Sequence, residues 1–424
     1  MPLDTTFFSQ HYQQRWASTS IPSWSADSYT RFLSRGLPTR KSEAWRYAKL
    51  DQWFSPQRQH ACMAGDLVAY PESVHDADIV MSNGKLIINN VDLDLIVISM
   101  QEAIHTHADI VNRHMRDFLS HDRLDNPLAQ YAAAAWQDGF FIQVPSGYRH
   151  QAPLRIVYDY SSGTFSNLVQ IIDMGVGSKL TLLEKSYGAT GLPYIHNAVT
   201  SIQLAAGAEL VNERVQMASD DAVWHDCRLI QQHSTSKCTQ RVFTLGAQHA
   251  REESLVDFLG EQAEHHFSGV GFASPQAEHA AQVMMLHRMH HCRSNQQYRS
   301  LVAQRAENSF LGHIVVPKDV QATTAYQDSK SLLLDALARA NVKPYLEIFA
   351  DDVVCTHSAS VGQLDKKALF YLQARGMTAA QAYAILLDAF VQEILVTGVD
   401  DGIKHIVAEA VEERSRMIFG EATL

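Results

Sequence analysis

Apolar and polar positions alternate in short runs through the middle of this chain, while both ends repeat apolar residues every three to four positions. Over residues 1–55, Phe7, Phe8, Trp16, Tyr29, Phe32 and Leu33 mark helical faces, and Pro38 begins a new segment. Trp45, Tyr47 and Trp53 are core candidates, and the charged cluster Arg40, Lys41, Glu43 and Arg46 reads as a solvated face. Residues 57–65 read as a loop. Between 66 and 121, apolar runs at 78–81, 85–88 and 93–98 alternate with turn residues such as Asn83-Gly84, and a helical stretch closes the section. A helix-like 127–136 then leads into the strand FFIQV.

From about residue 140 to 362 strands dominate, and the turns loosely repeat. MGVGSKL at Met174, LAAGAEL at Leu204, LGEQAEH at Leu259 and ASPQAEH at Ala273 begin 30, 55 and 14 positions apart, close to multiples of one strand plus one turn. A stacked β-solenoid requires such a period, because each coil buries its inner face only against its neighbours. A β-sandwich gives strands at the same spacing, so the pattern alone leaves both open. Leu180, Leu182, Leu210, Val242 and Val315 are the expected inward residues.

At Asp365 the period changes to 3.6. Asp365 is placed to cap a helix that Gly376 ends, Thr378 and Gln381 form a T-x-x-Q capping box, Gly398 closes the second helix, and a third spans 403–418. In the second, Ile385, Leu386, Leu387, Ala389, Phe390, Val391, Ile394 and Leu395 cover more than one face. Either the helix packs on its neighbours and also offers a partner groove, or it is buried within its own domain.

Charge narrows the function classes. The 424 residues carry 35 basic and 46 acidic side chains, a net charge of -11, which argues against nucleic acid or an anionic membrane as partner. The N-terminal residues lack a basic stretch followed by an apolar one, and no run approaches the roughly 20 apolar residues of a membrane span, so a cytoplasmic location is expected. Five cysteines, odd in number and without a C-x-x-C pair, do not make a disulfide framework. Phosphate-loop, dinucleotide, zinc-protease and nucleophile-elbow motifs are missing from the sequence, so no nucleotide hydrolysis is expected. Asp220-Asp221 and Asp351-Asp352 read as turn residues.

Candidate chemistry gathers in residues 345–376. A strand over 345–350 breaks at Asp351-Asp352, and a second short strand follows at 353–357. Side chains two apart in a strand share a face, so Cys355 and His357 project together, a thiol and an imidazole suited to zinc or iron. Two ligands leave a tetrahedral site incomplete, and a buried Cys beside a hydrogen-bonded His is the other reading. A second metal candidate is the alternation of His287, Met289 and His291 with Arg288, His290 and Cys292, which a strand would sort onto two faces. Stacked polar residues inside a solenoid would produce the same pattern.

Three stretches carry a family resemblance: EIFADDVVCTHSASVGQLDKKALFYLQARGM, the run over 296–334 ending YQDSKSLLL, and LPTRKSEAWRYAKL at 37–50. They resemble the SufD family, scaffold subunits of the Suf iron-sulfur cluster assembly complex. The VGQLD run at 361–365 separates this pattern from the sister subunit SufB. The family commonly has Gly after the His, where this chain has Ser358. The resemblance implies a mainly β fold: a right-handed parallel β-helix over 136–364, an N-terminal helical and mixed domain over 1–135, and a C-terminal helical domain over 365–424. It further implies a non-catalytic scaffold with SufB and the SufC ATPase as partners, and a homodimer as one state of the isolated chain. On this reading Ile385, Leu386, Phe390 and Ile394 dock the ATPase. His357 and Cys355 face the SufB interface, where a transient iron-sulfur cluster or iron is handled, none being bound by the isolated chain. The alternative is an autonomous β-helix lyase or hydrolase of acidic polysaccharide.

Overall fold

The computed structural model describes residues 5–63, 77–91, 94–149, 152–273, 275–395 and 398–419. The N-terminal region begins with α1 (Thr6–Arg15), α2 (Ser23–Arg35), α3 (Leu50–Trp53) and α4 (Pro56–Met63). Helix α4 replaces the loop expected at 57–65. Pro56 sets the first helical turn, no turn residue interrupts Gln57 to Met63, and the Arg58 guanidinium donates to the Gln52 and Asp221 carbonyls. Gly65 and Asp66, at the expected end of that loop, lie outside the described residues, as do Leu93 of the 93–98 run and Ser274 of the fourth turn.

Next come β1 (Ile79–Ser82), β2 (Lys85–Asn89), β3 (Ile96–Ser99), α5 (Met100–Thr106), α6 (Ala108–Leu119) and α7 (Pro127–Ala134). Strands β1 and β2 form an antiparallel hairpin across Asn83-Gly84, both at positive φ (46° and 83°), as the tight hairpin turn requires. Asn126 caps α7, its Oδ1 accepting from the Leu128 and Ala129 amides at 3.0 and 3.1 Å.

The parallel β-helix follows. Its coils are built from β4 (Phe140–Val144), β5 (Leu154–Tyr160), β6 (Phe165–Met174), β7 (Lys179–Gly188), β8 (Ile195–Leu204), β9 (Glu209–Met217), β10 (Val223–Gln232) and β11 (Lys237–Thr244). They continue with β12 (His249–Phe258), β13 (Glu264–Ala273), β14 (Glu278–His287), β15 (Arg293–Val302), β16 (Glu307–Val316), β17 (Thr323–Leu333), β18 (Arg339–Ile348) and β19 (Val353–Gln363). Odd strands from β5 to β19 stack in one sheet and even strands from β4 to β18 in the other. The turns that follow β6, β8, β10, β12 and β14 each pass through a left-handed residue: Gly177, Gly207, Thr235, Gln262 and His291, all with φ between 60° and 68°. Glycine gives way to Thr, Gln and His along this row, so the turn signal fades from the sequence while the geometry persists.

The coils from β4 to β17 bury alternate side chains in the lumen, including Leu180, Leu182, Leu210 and Val242 as expected. Val315 is a correction. It is buried, but on the outer face of the even sheet, in the cluster formed with Trp24, Met115 and Phe118 of the N-terminal helices. Its neighbours Ile314 and Val316 fill the lumen. Both faces of this sheet are covered, so apolar residues occupy both parities of the strand.

The two ends differ. At the first coil, β1 and β2 extend the odd sheet and β3 pairs antiparallel with β4. Strands β1, β2 and β3, from the region expected as 1–135, thus join the two sheets of the β-helix. The chain ends in α8 (Lys366–Ala374), α9 (Ala379–Leu395) and α10 (Asp401–Phe419), with α9 and α10 burying Leu387, Val391, Ile403 and Val407 against the odd sheet. The caps are as expected: Asp365 Oδ1 accepts from the Lys367 amide at 2.8 Å, Thr378 and Gln381 bond reciprocally, and Gly376 and Gly398 have positive φ.

Candidate functional site

At the last coil nothing closes the helix among the described residues. Strand β18 pairs only with β16, and β19 only with β17, so each leaves one backbone edge unpaired. Natural edge strands are usually blunted by Lys, Pro or a bulge. Strand β18 carries Lys343 and Pro344, but VVCTHSASVGQ has neither, and Val354 and Val361 are exposed. The strands are longer than expected: the first spans Arg339–Ile348 and the second continues past His357 to Gln363, with Asp351-Asp352 in the bend between them.

Register fixes the candidate pair. Cys355 lies beside Ala325 and His357 beside Gln327, both inward positions of β17, so the two side chains do share the lumen face. Cys355 is partly covered by core and His357 is exposed at the open mouth. Burial pushes the Cys355 thiol up from its ordinary pKa and so favours the neutral form, against a smaller opposing contribution from a hydrogen bond with the Ala325 backbone. Among the described residues no three His, Cys, Asp or Glu side chains converge to hold a metal. The pair thus offers two soft or borderline donors on the lumen face of the open last coil, and a complete site would need ligands from another molecule. On the outer face, Ser358 donates to Asp328, which Arg299 joins to Glu393 of α9. Ser358 is not among the left-handed residues, so the extended strand takes a side chain there without strain.

The second metal candidate dissolves. Strand β14 ends at His287, residues 288–292 form a turn, and His291 sits at φ 61°, so the expected alternation onto two faces does not exist. Cys292 is buried, with its thiol donating to the Gly260 carbonyl at 3.3 Å, and burial pushes its pKa up. His287 stacks on Phe258 and bonds Ser294 at 2.8 Å.

Of the docking residues, Ile394 is corrected: it is buried against the odd sheet and belongs to the chain's own core. Phe390 is half-buried on the same cluster, Leu386 is intermediate, and Ile385 is exposed. The outward apolar surface lies mainly on α8, which buries none of its side chains and exposes Phe370 and Tyr371. Sequence reasoning placed that helix but missed its outward apolar surface, because its LFYL run has the composition of a core segment.

It also missed an ion cluster in the lumen. Arg228 donates twice to Glu184, both at 2.9 Å, and reaches Asp226 at 3.2 Å. Arg214 bridges Asp226 and Glu252, both at 2.7 Å, and Tyr158 and Asn212 complete the shell of Glu184. Burial pushes the Glu252 carboxyl to about 7. Charged residues in strands read as outward-facing, so only strand parity, counted from the inward Leu210 and Trp224, could have revealed this cluster.

Comparison with known proteins bears on this architecture. Residues 158–390 match the family described as SUF system FeS cluster assembly, SufBD core domain, and residues 6–156 match the SufBD protein N-terminal region. The chain is 24% identical to the iron-sulfur cluster assembly protein SufD of Escherichia coli over 91% of its own length and 90% of that protein's. It is 28% identical to an iron-sulfur cluster assembly SufBD family protein of Synechocystis over 62% of this chain, spanning 60% of that relative. A SufBD family protein of Staphylococcus epidermidis is 23% identical over 69% of this chain.

Proposed function

The chain belongs to the SufBD family of iron-sulfur cluster assembly proteins, and from that premise we propose that it is a SufD-type scaffold whose open coil pairs with a SufB-type β-helix. The observation that carries this reading is the last coil: two unpaired edges, no blunting residue on β19, and Cys355 and His357 together on its lumen face. An added strand would satisfy the free backbone groups, as in other β-augmented complexes. The cluster is cargo here. His357 contacts it or takes protons as it is built, while the mostly protonated Cys355 contributes less unless metal or a cation lowers its pKa. A SufC-type ATPase docks on the C-terminal helices, with Ile385 and Leu386 joined by the exposed apolar side chains of α8. Family membership takes the place of the polysaccharide-lyase alternative.

The test is co-expression with SufB and SufC and measurement of iron and acid-labile sulfide after anaerobic reconstitution. His357→Ala is expected to leave the complex assembled and to lower cluster content sharply, with Cys355→Ser milder. Removal of residues 377–424 is expected to abolish ATPase binding. Normal cluster content in His357→Ala overturns the role of the mouth, and full ATPase affinity after the truncation overturns the docking assignment.

A further inference from the structure

The two strands of the open coil are held unequally. Side chains two apart in a strand share a face, and Lys343, Tyr345 and Glu347 of β18 pair with Leu311, His313 and Val315 of β16, the row whose Val315 lies on the outer face. All three are tied to the N-terminal region. Lys343 Nζ donates to Glu43 Oε1 at 3.2 Å, the Tyr345 hydroxyl donates to the same oxygen, and Arg123 Nη2 donates to Glu347 Oε2 at 3.3 Å. Glu43 opens a short 3-10 turn, Glu43–Trp45, whose Trp45 is buried in the N-terminal aromatic core with its ring centroid 4.1 Å from the Arg251 guanidinium carbon of β12. The turn is thus anchored on the even sheet, and Glu43 reaches from it to the last strand. Strand β19 has no such support. Among the described residues its outer face makes one side-chain hydrogen bond, from Ser358 to Asp328 of β17, and it is exposed over most of its length, whereas β18 is mostly half-buried.

An isolated exposed ion pair contributes little, but here one carboxylate ties two side chains of the same strand and Arg123 ties a third. We propose that the Glu43 clamp holds β18 as the preformed template for coil pairing, with Glu43, Lys343 and Tyr345 as positioning residues, and that the partner it fits is an edge strand of another parallel β-helix. A strand already fixed in its extended form loses less freedom when a second strand adds to it, so the clamped edge is the tighter of the two docking strands. Strand β19, held on its outer face only at Ser358, adjusts to the partner afterwards. A slip of one residue in β18 would turn Lys343 and Tyr345 into the lumen and Leu346 out of it, so the clamp also fixes which residues the partner meets. This inference rests on the reading that the open coil pairs with a SufB-type β-helix.

The experiment uses the full chain with a SufB-type partner and compares wild type, Glu43→Ala, Tyr345→Phe and Glu43→Lys, the last also combined with Lys343→Glu. In the free chain, Glu43→Ala is expected to speed hydrogen exchange about fivefold at the β18 amides that pair with β16, leaving β19 unchanged. Its affinity for the partner is expected to fall about tenfold as preorganisation is lost, with Tyr345→Phe intermediate. Glu43→Lys sets two lysines side by side and should weaken binding further, and adding Lys343→Glu should restore most of it. The Glu43 side chain is 54% exposed, so the urea midpoint of the free chain should not move, whereas a merely structural contact would shift the midpoint and leave affinity alone. Wild-type affinity in Glu43→Ala overturns the clamp, as does a double variant that binds no better than Glu43→Lys. If the partner does not bind the wild-type chain, or binds it without protecting β18 and β19 from exchange, coil pairing itself fails instead, and the two failures are told apart.

Discussion

Replacing Arg228 with Met tests whether the lumen charges form one electrostatic unit. Arg228 is 1% exposed and supplies two of the four hydrogen bonds made to the Glu184 carboxylate. Burial pushes Glu184 up, and Arg228 outweighs it, so the carboxyl sits below its ordinary range. Asp226 keeps Arg214 at 2.7 Å, but Glu184 loses its directly bonded cation. Removing one partner of a buried pair costs about 3–5 kcal/mol. The sign with pH follows from linkage. In the variant, the folded-state pKa of Glu184 rises above its unfolded value near 4.5, so a proton is held more tightly in the fold. The penalty is then smallest below the depressed folded pKa of wild-type Glu184 and grows by about 1.4 kcal/mol per pH unit until the new folded pKa is passed. Urea unfolding of Arg228→Met and wild type at pH 5 and pH 8 measures the difference. Glu184→Gln in the Met background should remove most of the pH-dependent part. A loss below about 1 kcal/mol, or one equal at both pH values, would refute the reasoning.

Leu210→Asp places an unpaired carboxylate at a fully buried lumen position, and a loss of several kcal/mol in urea unfolding is expected; wild-type stability would show the register to be wrong. His265 and His287 are held neutral by burial, each pushed down to about 3. Their unfolded forms bind protons below about pH 6.5, so folding stability falls as pH drops from 6.5, by up to about 3 kcal/mol per histidine at pH 4.5. A His265→Gln, His287→Gln chain should show a shallower decline over that window in the same assay. Arg299→Ala cuts the link from Glu393 of α9 through Asp328 to Ser358, and faster amide hydrogen exchange in both α9 and β19 is expected; a change confined to β15 would show that the two elements are not coupled.

The C-terminal helices were legible because their signals are local: Asp365, the Thr378–Gln381 pair and two glycines each act within a few residues. The solenoid was legible from its turns at Gly177, Gly207 and Gln262, and not where Thr235 and His291 took the left-handed place. Strand parity was the weak point. Val315 and Ile314 are both apolar and both buried, one outside the sheet and one in the lumen, so composition cannot assign either face. His291 failed as a ligand because a left-handed turn broke the alternation it was read from. Cys355 and His357 were placed correctly on one face, yet their setting was not visible locally. Gln296, Gln327 and His357 are 31 and 30 residues apart, one coil each, and reading them together requires the coil length in advance.

The unequal ends of the β-helix limit what the chain can build. A rod with two sticky ends polymerises, since every added unit presents a fresh end. Here antiparallel pairing replaces the parallel stack at the first coil, where β1 pairs with β2 and β3 with β4, while among the described residues β18 and β19 end the parallel stack with unpaired edges at the last coil. A parallel β-helix that docks coil to coil finds its match at the last coil and not at the first. On the proposed reading, two such coils that join use up both parallel edges, and the junction encloses His357.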